Sequence, residues 1–113
     1  MAPKRIWDGV RARVVGGERQ TLAVVELGPG AVVPEHAHEH EQLGLVIEGS
    51  VRFTVGGETE ELEAGGTWRI PSKVPHTVAA GPEGAVVVDV FAPARADWDE
   101  IPDEPARAPD WPK

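Results

Sequence analysis

The sequence predicts an all-β fold, a sandwich or barrel of the jelly-roll kind. Three observations carry that expectation. Short valine-rich runs recur along the chain, each of strand length. Gly and Pro, 13 and 11 residues, fall between the runs as punctuation and form no low-complexity block. No window sustains the period of an amphipathic helix.

In chain order, the candidate strands are residues 11–15, 20–27, 31–36, 42–48, 50–55, 58–62, 67–70, 76–79 and 85–91. Gly16-Gly17 separates the first two, and Gly28-Pro29-Gly30 separates the second from the third. Glu48-Gly49-Ser50 and Val55-Gly56-Gly57-Glu58 read as hairpin turns. Gly65-Gly66 precedes the seventh strand, and Gly81-Pro82 divides the last two. In the final run, Val86, Val88 and Val90 share one face, while Val87, Asp89 and Phe91 share the other. Residues 93–113 differ, with five prolines and six acids against three basic residues. They suit neither a strand nor a long helix, although residues 96–100 have room for one helical turn. Either this tail is frayed, or Trp98, Ile101 and Trp111 pin it across the barrel or a neighbouring subunit.

The bulk numbers bound the rest. A chain of 113 residues makes one domain with one core. The expected division is a barrel with an N-terminal strand over residues 1–96 and a Pro- and acid-rich tail over residues 97–113. A formal net charge of −8 repels phosphate backbones and anionic lipid, so neither nucleic acid nor membrane is an expected partner. There is no cysteine, which excludes disulfides and thiolate ligands. The first ten residues carry Lys4 and Arg5 but no apolar targeting core, so a cytoplasmic protein is expected.

The chemistry is concentrated in His36-Ala37-His38-Glu39-His40-Glu41-Gln42, which holds three of the four histidines. Strand parity would put His36 and His38 on one face, where both could grip one metal ion. The fourth imidazole, His76, follows Val74-Pro75. His40 is either a substrate contact or a solvated loop residue. Asp89 is an acid among valines, costly to bury without a partner or a task. It either makes an edge hydrogen bond or points into a pocket. Arg95 either pairs with Asp97 or Asp99 at the surface or reaches over the barrel mouth. Trp68 shares a strand face with Ile70 and is a candidate pocket wall.

Two spacings resemble the paired motifs of the cupin superfamily. The first is Gly30-(five residues)-His36-Ala37-His38-(three residues)-Gln42-(six residues)-Gly49. The second is Gly65-(five residues)-Pro71-(three residues)-Pro75-His76. The resemblance implies a jelly-roll barrel of two antiparallel sheets with His36, His38, Gln42 and His76 holding one divalent transition metal (Zn, Ni, Fe, Mn or Cu). Gln42 stands where the usual ligand is Glu, and Lys73 where the second motif usually has Gly. An amide oxygen would leave the ion its full double charge. The segment Asp89-Val90-Phe91-Ala92-Pro93-Ala94-Arg95 is similar to that of small pectin-degradation cupins, which linearise 4,5-unsaturated monouronates. That similarity implies a small-molecule substrate, with Asp89 moving a proton, Arg95 pairing with a sugar carboxylate and Phe91 contacting substrate; His40 and Trp68 stand beside them as the candidate contacts named above. It also implies a homodimer. A metal- and oxygen-dependent dioxygenase of a small enol or diketone, and a non-catalytic binding module, are the competing expectations.

Overall fold

The computed structural model describes residues 3–104 and Trp111. Residues 105–110 and 112–113, most of the far tail, lie outside the described residues. The elements in order are β1 (Lys4–Trp7), β2 (Val10–Gly16), β3 (Thr21–Leu27), β4 (Val32–His36), β5 (Glu41–Val55), β6 (Glu58–Glu63), β7 (Thr67–Ile70), β8 (His76–Ala92) and a 3-10 helix (Ala96–Glu100).

All pairings between these strands are antiparallel, and the two long strands organise them. The second half of β8 lies between β3 and the first half of β5, which also pairs β7. The first half of β8 lies between β4 and the second half of β5, which continues to β6. Because β5 and β8 each pass from one layer to the other, the eight strands form two packed sheets with a shared pair of bends. This is a jelly-roll barrel.

The expected Glu48-Gly49-Ser50 hairpin is not formed. That segment is a bulge inside β5, with register shifts between Val46 and Glu48 and between Gly49 and Val51. Gly49 adopts φ +81°, and a Cβ there would collide with the Gly84 carbonyl. The glycine therefore permits two strands to bend together, a use that looks like a turn in sequence. The runs 76–79 and 85–91 likewise join into the single strand β8. The Val55 to Glu58 hairpin forms as expected, with positive φ at both Gly56 and Gly57.

Alternation along β3 sends Val25 and Leu27 into the core and Leu22 outward. Ile70 is fully buried, and its burial contributes about 2–3 kcal/mol. The outer face of the larger layer is unusual. The register aligns Val15, Leu22, Val90 and Leu43 in one row, ending at Arg69. Arg13, Val24, Val88, Leu45 and Thr67 form the next. Val15, Leu22, Leu43 and Leu45 are exposed.

The segment after β8 is pinned across its own barrel. Trp98 is buried, and Ile101 packs against the core. Glu104 N–H donates to the Pro3 carbonyl at 2.8 Å, and Lys4 forms an isolated bridge with Asp103. Arg11 pairs with Glu104 at 2.6 Å. Trp111 N–H donates to the Glu26 carboxylate at 2.8 Å, and Arg13 donates to the Trp111 carbonyl at 2.9 Å.

Candidate metal centre and cavity

One cavity of about 110 Å³ runs between the sheets. His36, His38, Gln42 and His76 line it together with Trp68, Asp89, Phe91 and Arg95. His40 is not in its wall.

His36 ends β4 and is the register partner of His76, which begins β8, so the two rings lie 4.3 Å apart. His38 is in the loop beyond β4, so strand parity does not align it with His36 as the sequence suggested. The loop is held instead by Lys73, whose N–H donates to the His38 carbonyl at 2.7 Å. Lys73 adopts φ 66° to do so, which is the conformation that makes glycine the usual residue there.

Each imidazole is oriented by its own backbone. Nδ1 faces a carbonyl in all three: Pro34 at 2.8 Å for His36, His40 at 2.9 Å for His38, and Val74 at 2.9 Å for His76. A carbonyl only accepts, so the neutral ring carries its proton on Nδ1 and leaves Nε2 as a lone pair. Burial lowers the pKa of His38 to about 4, helped by the positive charge of Arg95. Burial lowers that of His76 as well. One ligand atom from each of His36, His38 and His76 lies within 4.8 Å of the others. Atoms each about 2.1 Å from one ion stand ~3–4 Å apart, so the cluster needs little closing to share one.

Gln42 completes the set from the first half of β5 and is 7% exposed. Its Oε1 lies 3.2 Å from His38 Nε2. With His38 neutral and its proton on Nδ1, both atoms are acceptors. Two lone pairs facing each other in a buried site are reconciled by a cation between them. The donor set therefore fits a divalent ion.

Asp89 points into the cavity, not to a sheet edge. Its Oδ1 accepts from Gln42 Nε2 at 2.9 Å. Burial raises its pKa to about 7, against the opposing pull of the Gln42 hydrogen bond, the Trp68 indole and the Arg95 charge. The indole lies close to Asp89 without hydrogen-bond geometry, so among the described residues Trp68 Nε1 is a buried donor with no partner. Trp68 stacks on Phe53 at 4.7 Å, and Gly44 beneath it has no room for a Cβ.

Arg95 does both things expected of it. Its guanidinium pairs with Asp97 through Nε at 3.1 Å and Nη2 at 2.9 Å, and it also lines the cavity. It lies 4.9 Å from the Phe91 ring centre and 4.3 Å from that of Trp98. Its hydrogen bonds hold the Asp97 carboxyl below its ordinary pKa. His40 contributes its carbonyl to His38, while its ring sits behind, with Nε2 3.9 Å from Asp97 and Nδ1 buried without a partner among the described residues. Sequence reasoning did not place Trp98 in the cavity wall, nor Trp7, whose ring lies 5.5 Å from His36. The inward alternation of β2 and β3 was the available signal for Val10, Val25 and Leu27, which also line it.

The buried acid makes stability depend on pH. Folded Asp89 binds its proton more tightly than the unfolded chain does, so it favours the folded state most at low pH. That advantage is lost as pH rises from about 4 through about 7, on the order of 4 kcal/mol in the metal-stripped protein. His38 acts oppositely, since its folded pKa is lowered and stability from it grows with pH between about 4 and 6.5. Comparison with Asp89→Asn isolates the acid. The variant should unfold at a higher denaturant midpoint than the parent at pH 8, with the gap closing toward pH 4. A gap independent of pH would refute the assignment.

A jelly-roll barrel that gathers three pre-oriented imidazoles and an amide at one cavity defines a class of small metal-site barrels. This chain belongs to the cupins: the Cupin_2 family, the cupin domain, matches residues 23–91. Pectin degradation protein KdgF of Dickeya dadantii (strain 3937) is 29% identical over 97 residues, covering 84% of this chain and 88% of that protein. The structure of KdgF from Halomonas sp. superimposes with a TM-score of 0.80 at 26% identity, over 86% of this chain and 90% of that one. An RmlC-like cupin from Shewanella frigidimarina gives 0.79 at 30% identity, over 85% of this chain and 86% of that one. Among the described residues, no helix is long and apolar enough to cross a membrane.

Proposed function

We propose that this cupin is a metal-dependent enzyme that linearises 4,5-unsaturated uronate monomers. One observation carries the reading: a buried carboxyl with a pKa of about 7, Asp89, shares one small cavity with the imidazole cluster and a guanidinium. The likeness to two KdgF proteins supports the substrate class.

His36, His38, Gln42 and His76 would hold one divalent transition metal. When bound, the ion supplies Lewis acidity to a sugar oxygen. The remaining work falls to the chain. Opening the unsaturated hemiacetal breaks the bond between the ring oxygen and the anomeric carbon, leaving an aldehyde and an enol. The enol carbon then takes a proton and the enol oxygen loses one, giving a ketone with no net change in composition. Asp89, able to accept and donate near neutrality, moves that proton. Arg95 pairs with the substrate carboxylate in the place now taken by Asp97, its plane kept by Phe91 and Trp98. Trp68 and Trp7 wall the sugar ring, which keeps bulk water from the enol.

The test follows the ultraviolet absorbance of the conjugated enol ether in a 4,5-unsaturated galacturonate or guluronate monomer. Metal-loaded protein should accelerate its decay over a chelated control. Decay at the spontaneous rate in both would end the sugar reading.

We also infer that two copies pack through the outer face of the larger layer. Its two central rows carry no Asp or Glu in a chain of net charge −8, so acidic copies repel least there. The exposed Leu22, Leu43 and Leu45 supply the apolar contact. The parent should sediment at twice its 12.1 kDa chain mass, and Leu43→Asp at that mass with the fold intact. A parent that is monomeric at micromolar concentration would rule the face out.

A further inference from the structure

We propose that Asp89 fixes which end of the Gln42 amide faces the imidazole cluster, and so delivers the oxygen, not the nitrogen, to a bound cation. The proposal rests on the reading that the cluster holds a metal ion; it is independent of the sugar chemistry.

The two ends of a glutamine amide have nearly the same shape, yet only the oxygen offers lone pairs to a cation. Gln42 lies between Asp89 and the imidazole cluster. Its Nε2 lies 2.9 Å from Asp89 Oδ1, and its Oε1 lies 3.2 Å from His38 Nε2. Ionised Asp89 accepts and does not donate, so it takes the NH₂ group, and a cation beside Gln42 favours that ionised form. The oxygen is then left facing His38. The reverse orientation would set an oxygen against a carboxylate oxygen in a dry site, and a positively polarised NH₂ against a cation. Gln42 and Asp89 are both buried, so solvent offers neither end an alternative partner.

The same contact explains why an amide stands at position 42. A glutamate there would bring a second carboxylate against a buried one, and two such neighbours resist ionising together. The acid at 89 and the amide at 42 are therefore one unit, although 47 positions separate them in the chain. Asp89 is in this respect a positioning residue, acting on the ion through Gln42.

The experiment titrates Co²⁺ alone into metal-stripped protein, reading affinity by chelator competition and the ligand set by the visible absorption bands. The parent is compared with Asp89→Leu, Gln42→Ala and the double variant. Asp89→Leu removes the acceptor at similar volume. It should lose about 10- to 100-fold in affinity, and its bands should converge on those of Gln42→Ala. Combining the two changes should cost no more than Gln42→Ala alone, because Asp89 acts through the amide. Parent-like affinity and bands in Asp89→Leu would overturn the proposal. So would an undiminished loss from Asp89→Leu in the Gln42→Ala background, which would mean that the charge acts directly. If Asp89→Leu does not fold, Asp89→Asn enters the same cycle with a smaller expected loss, since it keeps one acceptor. A parent that does not bind Co²⁺ would overturn the metal reading itself, an outcome distinct from a binding parent with an indifferent Asp89.

Discussion

Replacing His76 with alanine should lower divalent-metal affinity by more than the roughly 10- to 100-fold that a partner outside the coordination shell costs. His76 is 5% exposed and sits at the start of β8, opposite His36 in register. Its Nδ1 is committed to the Val74 carbonyl, so the Nε2 lone pair is its whole contribution to the cavity. Burial keeps the ring neutral and ready to ligate. Without it, His36 and His38 remain as two nitrogen donors near the mouth, both more exposed than His76. Chelator competition with the metal-stripped protein measures the loss, and a thermal melt of the same sample checks the fold. Affinity equal to that of the parent would exclude His76 from the site.

Asp89→Asn, supplied with saturating metal, should cut turnover of an unsaturated uronate by about 10²- to 10⁴-fold, the usual weight of a general acid–base. Saturating metal separates this effect from any loss of the ion through Gln42. The KM should change little, because Arg95 holds the substrate carboxylate and is untouched by the substitution. Asparagine keeps the size and one acceptor for Gln42 but cannot move a proton. Steady-state kinetics decides the matter, and full turnover in the variant would remove the proton-transfer role.

Much of this site is written in local spacing. His36, His38, Gln42 and His76 occupy the two motif spacings, and the structure brings all four to one cavity. The parity of Val87, Asp89 and Phe91 was also legible, and those three side chains do face inward together. What was not legible depends on partners distant in sequence. Nothing near Asp89 in the chain points to Gln42, and nothing near Arg95 shows that Trp98 returns to cover it. The Gly49 segment was misread because a glycine at positive φ serves a bulge as well as a turn, and only the strand lying across it distinguishes the two. The proline-rich composition of the last stretch left a frayed tail and one pinned by Trp98 equally open, since composition reports average solubility and not whether a single ring is anchored; the packing shows Trp98 buried.

The double passage of β5 and β8 through both layers governs how the chain reaches this state. Thr21 pairs with Phe91 in one layer and Val32 with Ala79 in the other, so neither layer closes until the last long strand has arrived. Pairings of such sequence separation place the chain among slow folders, on the order of milliseconds to seconds. During synthesis, the imidazoles of residues 36 to 40 emerge well before His76 and the strand bearing Asp89. The nascent segment can offer an ion only an incomplete set of donors, and tight capture waits for barrel closure. Metal uptake should therefore report the final folding step, making the ion a late witness to assembly and not its nucleus.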